Sequence, residues 1–236
     1  MLEQVNRRNV VRLWESNVSG ARVMRFRLTT ILAVLATALA LAGCAPQEQM
    51  VGLRAGMSGD NELTARDKKM LALADPTEWS IPLTRHKVSD PTGEPVGTIV
   101  IYNSQKRLYL VLPHHEAMEY PVAVGAEAFG WTGRATVGHM TEWPTWMPTS
   151  SIMSRWPEFK VYLKHGPLEG RWDNPLGARA LYLYQGNRDT LYRIHGTNEP
   201  DEIGQAVSSG CIRMRDLDVI DLYNRVHIGT SVIVRS

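Results

Sequence analysis

Short runs of apolar and β-branched residues, separated by polar loops, recur along the chain after residue 97. Residues 98–102 and 108–112 flank a polar stretch, 103–107, and this pattern predicts a β-hairpin. Short strands repeated at such spacing favour a mostly β fold, either a barrel or a sandwich. Further strands are predicted at residues 120–125, 134–140, 181–184, 190–195 and 231–234.

One long segment between the predicted strands, residues 141–177, has a different pattern. It contains five prolines, and proline cannot donate a hydrogen bond within a strand ladder. Two interpretations remain open. Either the segment is a lid whose aromatic faces line a groove, with Trp146 as the preferred groove residue, or its tryptophans pack a long loop onto the sheet. The tryptophans are Trp143, Trp146, Trp156 and Trp172.

After residue 214 the apolar spacing changes to that of a helix. We expect about three helical turns with Asp216 as the N-cap, and Gly229 lies beyond the end of the pattern. This short C-terminal helix is predicted to pack beneath the preceding turn and hold it rigid. Its apolar positions are 217, 219, 220, 222, 223 and 226.

The turn before this helix contains a cysteine, and a histidine lies sixteen positions before it. His195 is followed by Gly196, and Cys211 is preceded by Gly210. A thiol becomes a strong nucleophile as the thiolate, which an adjacent imidazole can generate. Glycine allows a tight turn whose backbone N–H groups can hold an oxyanion. The alternative is that Cys211 is a small buried hydrophobe and His195 a hydrogen-bonded strand residue.

These residues resemble the signature of the L,D-transpeptidase (YkuD) family. In that signature His-Gly and a loop precede Ser-x-Gly-Cys, an apolar residue and Arg or Asn. Residues 144–149, 173–177 and 191–197 are similar to blocks of the ErfK/YbiS branch, and the resemblance covers roughly residues 95–236. It implies a YkuD-like β-sandwich or barrel with a long Trp- and Pro-rich lid loop. Many members have His where this chain has Ser209.

The resemblance implies a role for each residue of the motif. Cys211 is the expected nucleophile, His195 its base, and the Gly196 carbonyl the group that orients the imidazole. The N–H groups of Gly210 and Cys211 are expected to form the oxyanion hole. Arg213 either pairs with a substrate carboxylate or forms a structural salt bridge.

The family's substrate is the peptidoglycan stem tetrapeptide. By resemblance, the thiol attacks the carbonyl of the third residue, expels D-alanine and passes the acyl group to an amine of another stem or of an envelope protein. Water as acceptor would make the protein an L,D-carboxypeptidase. A catalytically silent wall-binding lipoprotein is the alternative outside the enzymes. The predicted substrate-binding residues are Arg213, Ser209 and Trp146.

Composition limits the partners further. The formal net charge is +2, and Lys and Arg are scattered, which gives a nucleic-acid partner little support. The histidines form no HExxH motif, and the two cysteines are far apart in the chain. We therefore predict neither a metal site nor a cofactor.

The N-terminal part of the chain is predicted to be a targeting signal. Arg25 and Arg27 precede an apolar stretch, residues 28–42, whose length suits a signal-peptide core. The stretch ends in Leu-Ala-Gly-Cys, which resembles a bacterial lipobox and predicts lipidation of Cys44 and anchoring to a bilayer. An ordinary secretory signal with an incidental cysteine, or an uncleaved anchor helix, are the alternatives. Ala45 after the cysteine implies, by the familiar sorting rule, the outer membrane and a periplasmic location.

Three regions follow from these patterns. Residues 1–43 form the leader, of which 1–23 are either an upstream-start extension or an extended n-region. Residues 44–94 are the lipidated N-terminus and a tether, with a weak helical pattern at 61–71. Residues 95–236 are the predicted catalytic domain.

Overall fold

The computed structural model describes residues 63–74, 85–125, 131–208 and 210–236. The predicted leader, Cys44 and Ser209 lie outside these residues. Within the described ranges, no helix has both the length and the apolar character needed to cross a membrane.

The apolar runs of the sequence form the strands of a mixed sheet, and the predicted mostly β fold is confirmed. Nine strands of the described chain form this sheet in the order β1-β4-β3-β2-β11-β6-β7-β8-β10, and β5 pairs with β9 separately. The strands are β1 (His86–Ser89), β2 (Ile99–Tyr102), β3 (Arg107–Leu112), β4 (Glu116–Pro121), β5 (Val124–Gly125), β6 (Gly133–Glu142), β7 (Arg179–Gln185), β8 (Arg188–His195), β9 (Ala206–Ser208), β10 (Ile212–Arg213) and β11 (Ser231–Arg235).

The predicted strands differ from the observed ones where local sequence is a weak signal. The hairpin of β2 and β3 forms as expected, but the third predicted strand divides into β4 and β5. The short strands β1, β9 and β10 were not predicted, because two to four residues carry too little alternation to be distinguished from a loop.

The segment that follows β4 pairs with β10, which lies at the far end of the sheet. The Ala123 N–H donates to the Arg213 carbonyl at 2.9 Å, and the Arg213 N–H donates to the Ala123 carbonyl at 2.8 Å. Arg213 belongs to β10, the last strand of the order, whereas β4 is the second. The sheet therefore curls towards itself, which is compatible with either the barrel or the sandwich that the sequence left open.

Four α-helices accompany the strands in the described chain: α1 (Ala65–Leu71), α2 (Ser150–Arg155), α3 (Tyr162–His165) and α4 (Asp216–Arg225). The segment predicted as a long loop contains α2 and α3, with a 3-10 turn between them. The Thr149 hydroxyl accepts a hydrogen bond from the Ile152 N–H and caps α2. This threonine was a helix-start signal that the sequence analysis missed among the tryptophans and prolines.

The predicted C-terminal helix forms as α4 and packs on the sheet, but its N-cap differs from the prediction. Val219 and Leu222 of α4 join the buried core together with Ile194 of β8 and Ile212 of β10. The N-cap residue is Arg215, and Asp216 is the first helical residue. The Asp216 carboxylate accepts hydrogen bonds from the backbone just before β7 and just after β8 instead of from its own helix.

Helix α1 is held against the sheet by a buried ion pair. The Asp67 carboxylate accepts hydrogen bonds from Arg179 at 2.9 and 2.8 Å and from the Trp143 indole N–H at 2.8 Å. The Asp67 and Arg179 side chains are 0% and 1% exposed. Burial alone would raise the pKa of Asp67, but hydrogen bonds from Arg179 and Thr64 lower it below its ordinary value. Although α1 lies in the segment predicted as a tether, it belongs to the same compact unit as the strands, Asp60–Ser236.

Replacing Asp67 by asparagine should strongly destabilise the protein. Asp67→Asn keeps the shape of the side chain but leaves the buried Arg179 guanidinium with only the half-exposed Glu142 carboxylate, 3.9 Å away, as an opposite charge, and loss of a buried partner costs about 3–5 kcal/mol. Urea unfolding of the full chain, followed by tryptophan fluorescence and circular dichroism, measures the loss.

The matched control is Glu116→Gln. It breaks the Lys87–Glu116 pair, whose side chains are 56% and 43% exposed, and such exposed pairs contribute about 0–1 kcal/mol. Equal losses for the two substitutions would show that the buried pair does not hold α1 in place.

Candidate active site

The parallel pairing of β10 with β8 determines where the cysteine and the histidine lie. Ile212 pairs with Ile194, and Arg213 pairs with His195. Both isoleucines are buried in the core, and side chains alternate between the two faces of a strand. His195, and Cys211 just before β10, are therefore directed to the face opposite the core. The structure places both predicted residues at neighbouring positions of one sheet edge.

The histidine has a defined hydrogen-bonding state. His195 is 4% exposed, and its Nδ1 lies 2.6 Å from the Gly196 carbonyl oxygen. A carbonyl oxygen only accepts, so Nδ1 carries the hydrogen and Nε2 keeps a lone pair. Burial, reinforced by the charge of Arg213, lowers the pKa of His195 to about 3. The imidazole is therefore neutral at physiological pH and can act as a base through Nε2.

Cys211 is partly exposed as a residue and is not part of a disulfide. Its surroundings raise the pKa of Cys211 above the ordinary value of 9.0, because burial of the sulfur outweighs a backbone hydrogen bond from Arg193 and the charges of Arg193 and Arg213. A raised thiol pKa beside a lowered imidazole pKa means that the resting pair is thiol and neutral imidazole. In such a pair, the sulfur could act as a nucleophile only with transfer of its proton to the imidazole.

The same two guanidinium groups act on both residues. Arg193 and Arg213 each lower the pKa of His195 and of Cys211, so both positive charges favour a thiolate and disfavour an imidazolium. This shared influence is a second indication that the thiol and the imidazole are close neighbours.

Arg213 is bound to the loop that connects the histidine to the cysteine. Its guanidinium lies 3.3 Å from the Glu199 carboxylate and 2.5 Å from the Glu202 carboxylate. These pairs fit the structural salt bridge that the sequence left open. A substrate carboxylate at Arg213 would have to compete with two glutamates, and the substrate-binding role stays a prediction.

The turn before the cysteine needs its glycine. Gly210 is buried with a φ of 130°, and a Cβ there would lie 3.3 Å from the Tyr192 ring. Tyr192 stacks on Trp131 with ring centroids 4.8 Å apart. Sequence reasoning missed this aromatic pair as part of the site, although Tyr192 lies in one of the blocks that carried the family resemblance. The oxyanion role of Gly210 stays a prediction.

Trp146 packs within its own segment. Its ring makes edge contacts with Phe159 and Tyr162 at 5.6 and 5.5 Å, and its backbone pairs with Leu168. Trp143 is buried with its N–H on Asp67, so for Trp143 the packing interpretation holds. For Trp146 a place in a substrate groove stays a prediction.

No group of three or more His, Cys, Asp and Glu side chains in the described ranges is arranged to hold a metal ion.

Asp216 is a residue near the histidine that sequence reasoning missed, because the sequence predicted for it only a position at the start of a helix. Its carboxylate is buried behind the Gly196 backbone and accepts hydrogen bonds from the Ala178 and Thr197 N–H groups.

Comparison with known proteins agrees with this geometry. The model of the YkuD family, described as the L,D-transpeptidase catalytic domain, matches residues 97–234. The probable L,D-transpeptidase YcfS of Escherichia coli (strain K12) is 36% identical over 140 residues, which is 57% of this chain and 42% of that protein. The probable L,D-transpeptidase ErfK/SrfK of the same strain is 36% identical over 142 residues, with the same coverages of 57% and 42%. The chain therefore spans less than half the length of these curated relatives.

A crystal structure of a probable carnitine operon oxidoreductase caia from Brucella melitensis is 42% identical in sequence. The match covers 68% of this chain and 100% of that one, with a TM-score of 0.46. Since the family model matches more than half of the residues, the chain belongs to the YkuD family of L,D-transpeptidase catalytic domains.

Proposed function

We propose that the protein is a cysteine-dependent L,D-transpeptidase that acts on peptidoglycan stem peptides. The observation that carries the proposal is the hydrogen bond from His195 Nδ1 to the Gly196 carbonyl. It leaves Nε2 as a base on the face of the sheet where Cys211 lies. Family membership supplies the substrate class, and the site supplies groups suited to acyl transfer.

In the first half of the reaction, the Cys211 thiol gives its proton to His195 Nε2 as the sulfur attacks the carbonyl of the third stem residue. The tetrahedral oxyanion is held by the N–H groups of Gly210 and Cys211. The intermediate collapses to a thioester, and the imidazolium returns its proton to the departing amine of D-alanine. Because burial and Arg213 disfavour an imidazolium, this second proton transfer is favourable.

In the second half, an acceptor amine attacks the thioester while His195 takes the amine proton. Collapse forms the new amide and restores the thiol. The acceptor is the amine of another stem, which gives a cross-link, or an amine of an envelope protein. Hydrolysis of the same thioester would be the L,D-carboxypeptidase reaction.

We also propose where the reaction takes place. Residues 1–43 act as a lipoprotein leader, and lipidated Cys44 anchors the protein in the periplasm, at the outer membrane. Helix α1, which lies within residues 44–94, contacts the sheet through Asp67. The lipobox-like sequence supports this placement.

Substitution of the nucleophile should abolish acyl transfer. We expect purified protein to release D-alanine from tetrapeptide muropeptides and to form cross-linked dimers, and Cys211→Ala should reduce both by at least about 10³-fold. Chromatography with mass spectrometry of the muropeptides measures both products. A carbapenem should add covalently to Cys211 in the wild type and not in Cys211→Ala.

The control is Lys87→Ala, an exposed change on β1 that should leave activity unchanged. Activity that survives Cys211→Ala would contradict the mechanism. D-alanine release without dimers or amine adducts would identify the carboxypeptidase. A wild type with neither activity nor adduct would identify the silent wall-binding lipoprotein.

The resting protonation states predict the pH dependence of thiol alkylation. Because the pKa of Cys211 is raised above 9.0 and that of His195 is lowered to about 3, thiolate should form only as the pH rises above 9. The iodoacetamide reaction rate should therefore rise with pH through 9 and should not level off below it. Peptide mass mapping separates the Cys211 signal from that of Cys44.

His195→Gln is the informative partner variant. If the resting pair is neutral, the alkylation profile of this variant should stay close to that of the wild type. A wild-type rate that is constant between pH 5 and 8, and that collapses in His195→Gln, would instead reveal a preformed thiolate–imidazolium pair.

A further inference from the structure

A buried carboxylate lies behind the histidine. Asp216, the first residue of α4, is 2% exposed. Its Oδ1 accepts hydrogen bonds from the Ala178 N–H at 2.8 Å and from the Thr197 N–H at 3.3 Å. One oxygen atom thus connects helix α4 with the start of β7 and with the chain just after His195.

The backbone approaches this oxygen too closely for side chains. A Cβ on Gly177 would lie 2.1 Å from Asp216 Oδ1, and a Cβ on Gly196 would lie 2.0 Å from it. Both glycines are therefore needed for the carboxylate to reach the two N–H groups. The carboxylate occupies the space that two side chains would otherwise fill.

One peptide group connects the carboxylate to the imidazole. The Gly196 carbonyl and the Thr197 N–H belong to the same planar unit. The N–H donates to Asp216 Oδ1, and the carbonyl accepts from His195 Nδ1 at 2.6 Å. Because hydrogen bonds in a chain polarise one another, an acceptor on the N–H strengthens the carbonyl as an acceptor. The preceding peptide group, His195–Gly196, is held as well, because the Gly196 N–H donates to the Arg179 carbonyl at 3.0 Å.

We propose that Asp216 is a positioning residue for His195, acting through the Gly196–Thr197 peptide group. It has the role that a carboxylate has in a Ser-His-Asp triad, but here a backbone amide lies between the carboxylate and the imidazole. The proposal rests on the proposed function only in taking His195 as the base. The hydrogen-bonding state of the ring can be tested without any activity.

The proposal depends on an acceptor at Oδ1 and not on a charge. Burial raises the pKa of Asp216 to about 7, against hydrogen bonds from Ala178 and Thr197. A carboxyl group protonated on Oδ2 still accepts at Oδ1. The isosteric amide of asparagine also offers an oxygen there, so Asp216→Asn should behave like the wild type, whereas Asp216→Ala should not.

The test uses the full chain with ¹⁵N-labelled histidine. In the wild type, ring ¹⁵N shifts of His195, assigned by their loss in His195→Gln, should report one tautomer with the proton on Nδ1. Asp216→Ala should give a mixture of tautomers. It should also lower kcat per folded molecule about 10–100-fold while KM changes less than about 3-fold. Asp216→Asn should retain the single tautomer and a kcat within about 3-fold of the wild type.

Asp218→Asn is the matched control. Asp218 is 0% exposed on the same helix, and its carboxylate binds Arg215 and Arg85 instead of the Gly196 segment. We expect Asp218→Asn to lower thermal stability but to leave the tautomer and the kcat per folded molecule unchanged. If Asp216→Ala does not fold, Asp216→Ser takes its place with the same expected loss, since its hydroxyl is too short to reach both N–H groups.

The proposal is overturned if the folded Asp216→Ala or Asp216→Ser variant keeps a single Nδ1–H tautomer and a kcat within about 2-fold of the wild type. It is also overturned if the Asp218→Asn control shifts the tautomer equally. A tautomer change in Asp216→Ala, in a protein whose wild type has no transpeptidase activity, would support the positioning role and reject the proposed function.

Discussion

The structure depends on the pairing of a two-residue strand. Strand β10 lies parallel to β8 for Ile212 and Arg213 only, and Met214 extends the contact by donating its N–H to the His195 carbonyl at 2.8 Å. This short register places a thiol beside an imidazole sixteen positions earlier in the chain. Ile212 enforces the register, because a slip of β10 by one residue would turn Ile212 out of the core and turn Arg213 towards it, while β8 stays paired with β7.

Positive charge and burial together determine the chemistry at this edge. Arg193 and Arg213 lie close enough to both reacting groups to shift their pKa values, and burial keeps both groups neutral at rest. His195 and Cys211 therefore do not form an ion pair at rest. In the proposed reaction, charge separation would arise only as the sulfur attacks the substrate, beside the Arg193 and Arg213 guanidinium groups.

Sequence patterns predicted the fold well where apolar runs are long and local. The hairpin of β2 and β3, the later strands and the C-terminal helix all have the spacing of their element. In contrast, β10 has no local signal, because its pairing with β8 defines it. The Asp67–Arg179 ion pair joins residues 112 positions apart, and no pattern in the sequence connects them.

Within the site, residue type and spacing left the roles of His195 and Cys211 open, and the resemblance to the family made them candidates. The contacts that support them had no signal in the sequence. Asp216 resembled an ordinary helix cap because aspartate is common at helix starts. Its contact with Gly177 and Gly196 depends on how three separate segments meet. The contact of Tyr192 with Gly210 was unpredictable for the same reason, since a tyrosine in a strand does not indicate which turn its ring covers.

The docking of α1 has a mechanical consequence. If lipidated Cys44 holds the chain at a membrane while Cys211 is acylated by a stem of the cell wall, tension along the polypeptide reaches α1 before it reaches the sheet. The Asp67–Arg179 pair would bear that load, and the Arg179 carbonyl holds the Gly196 N–H. A pull strong enough to detach α1 would therefore disturb the backbone behind the histidine, so that stretching of the cell envelope would act on acyl transfer.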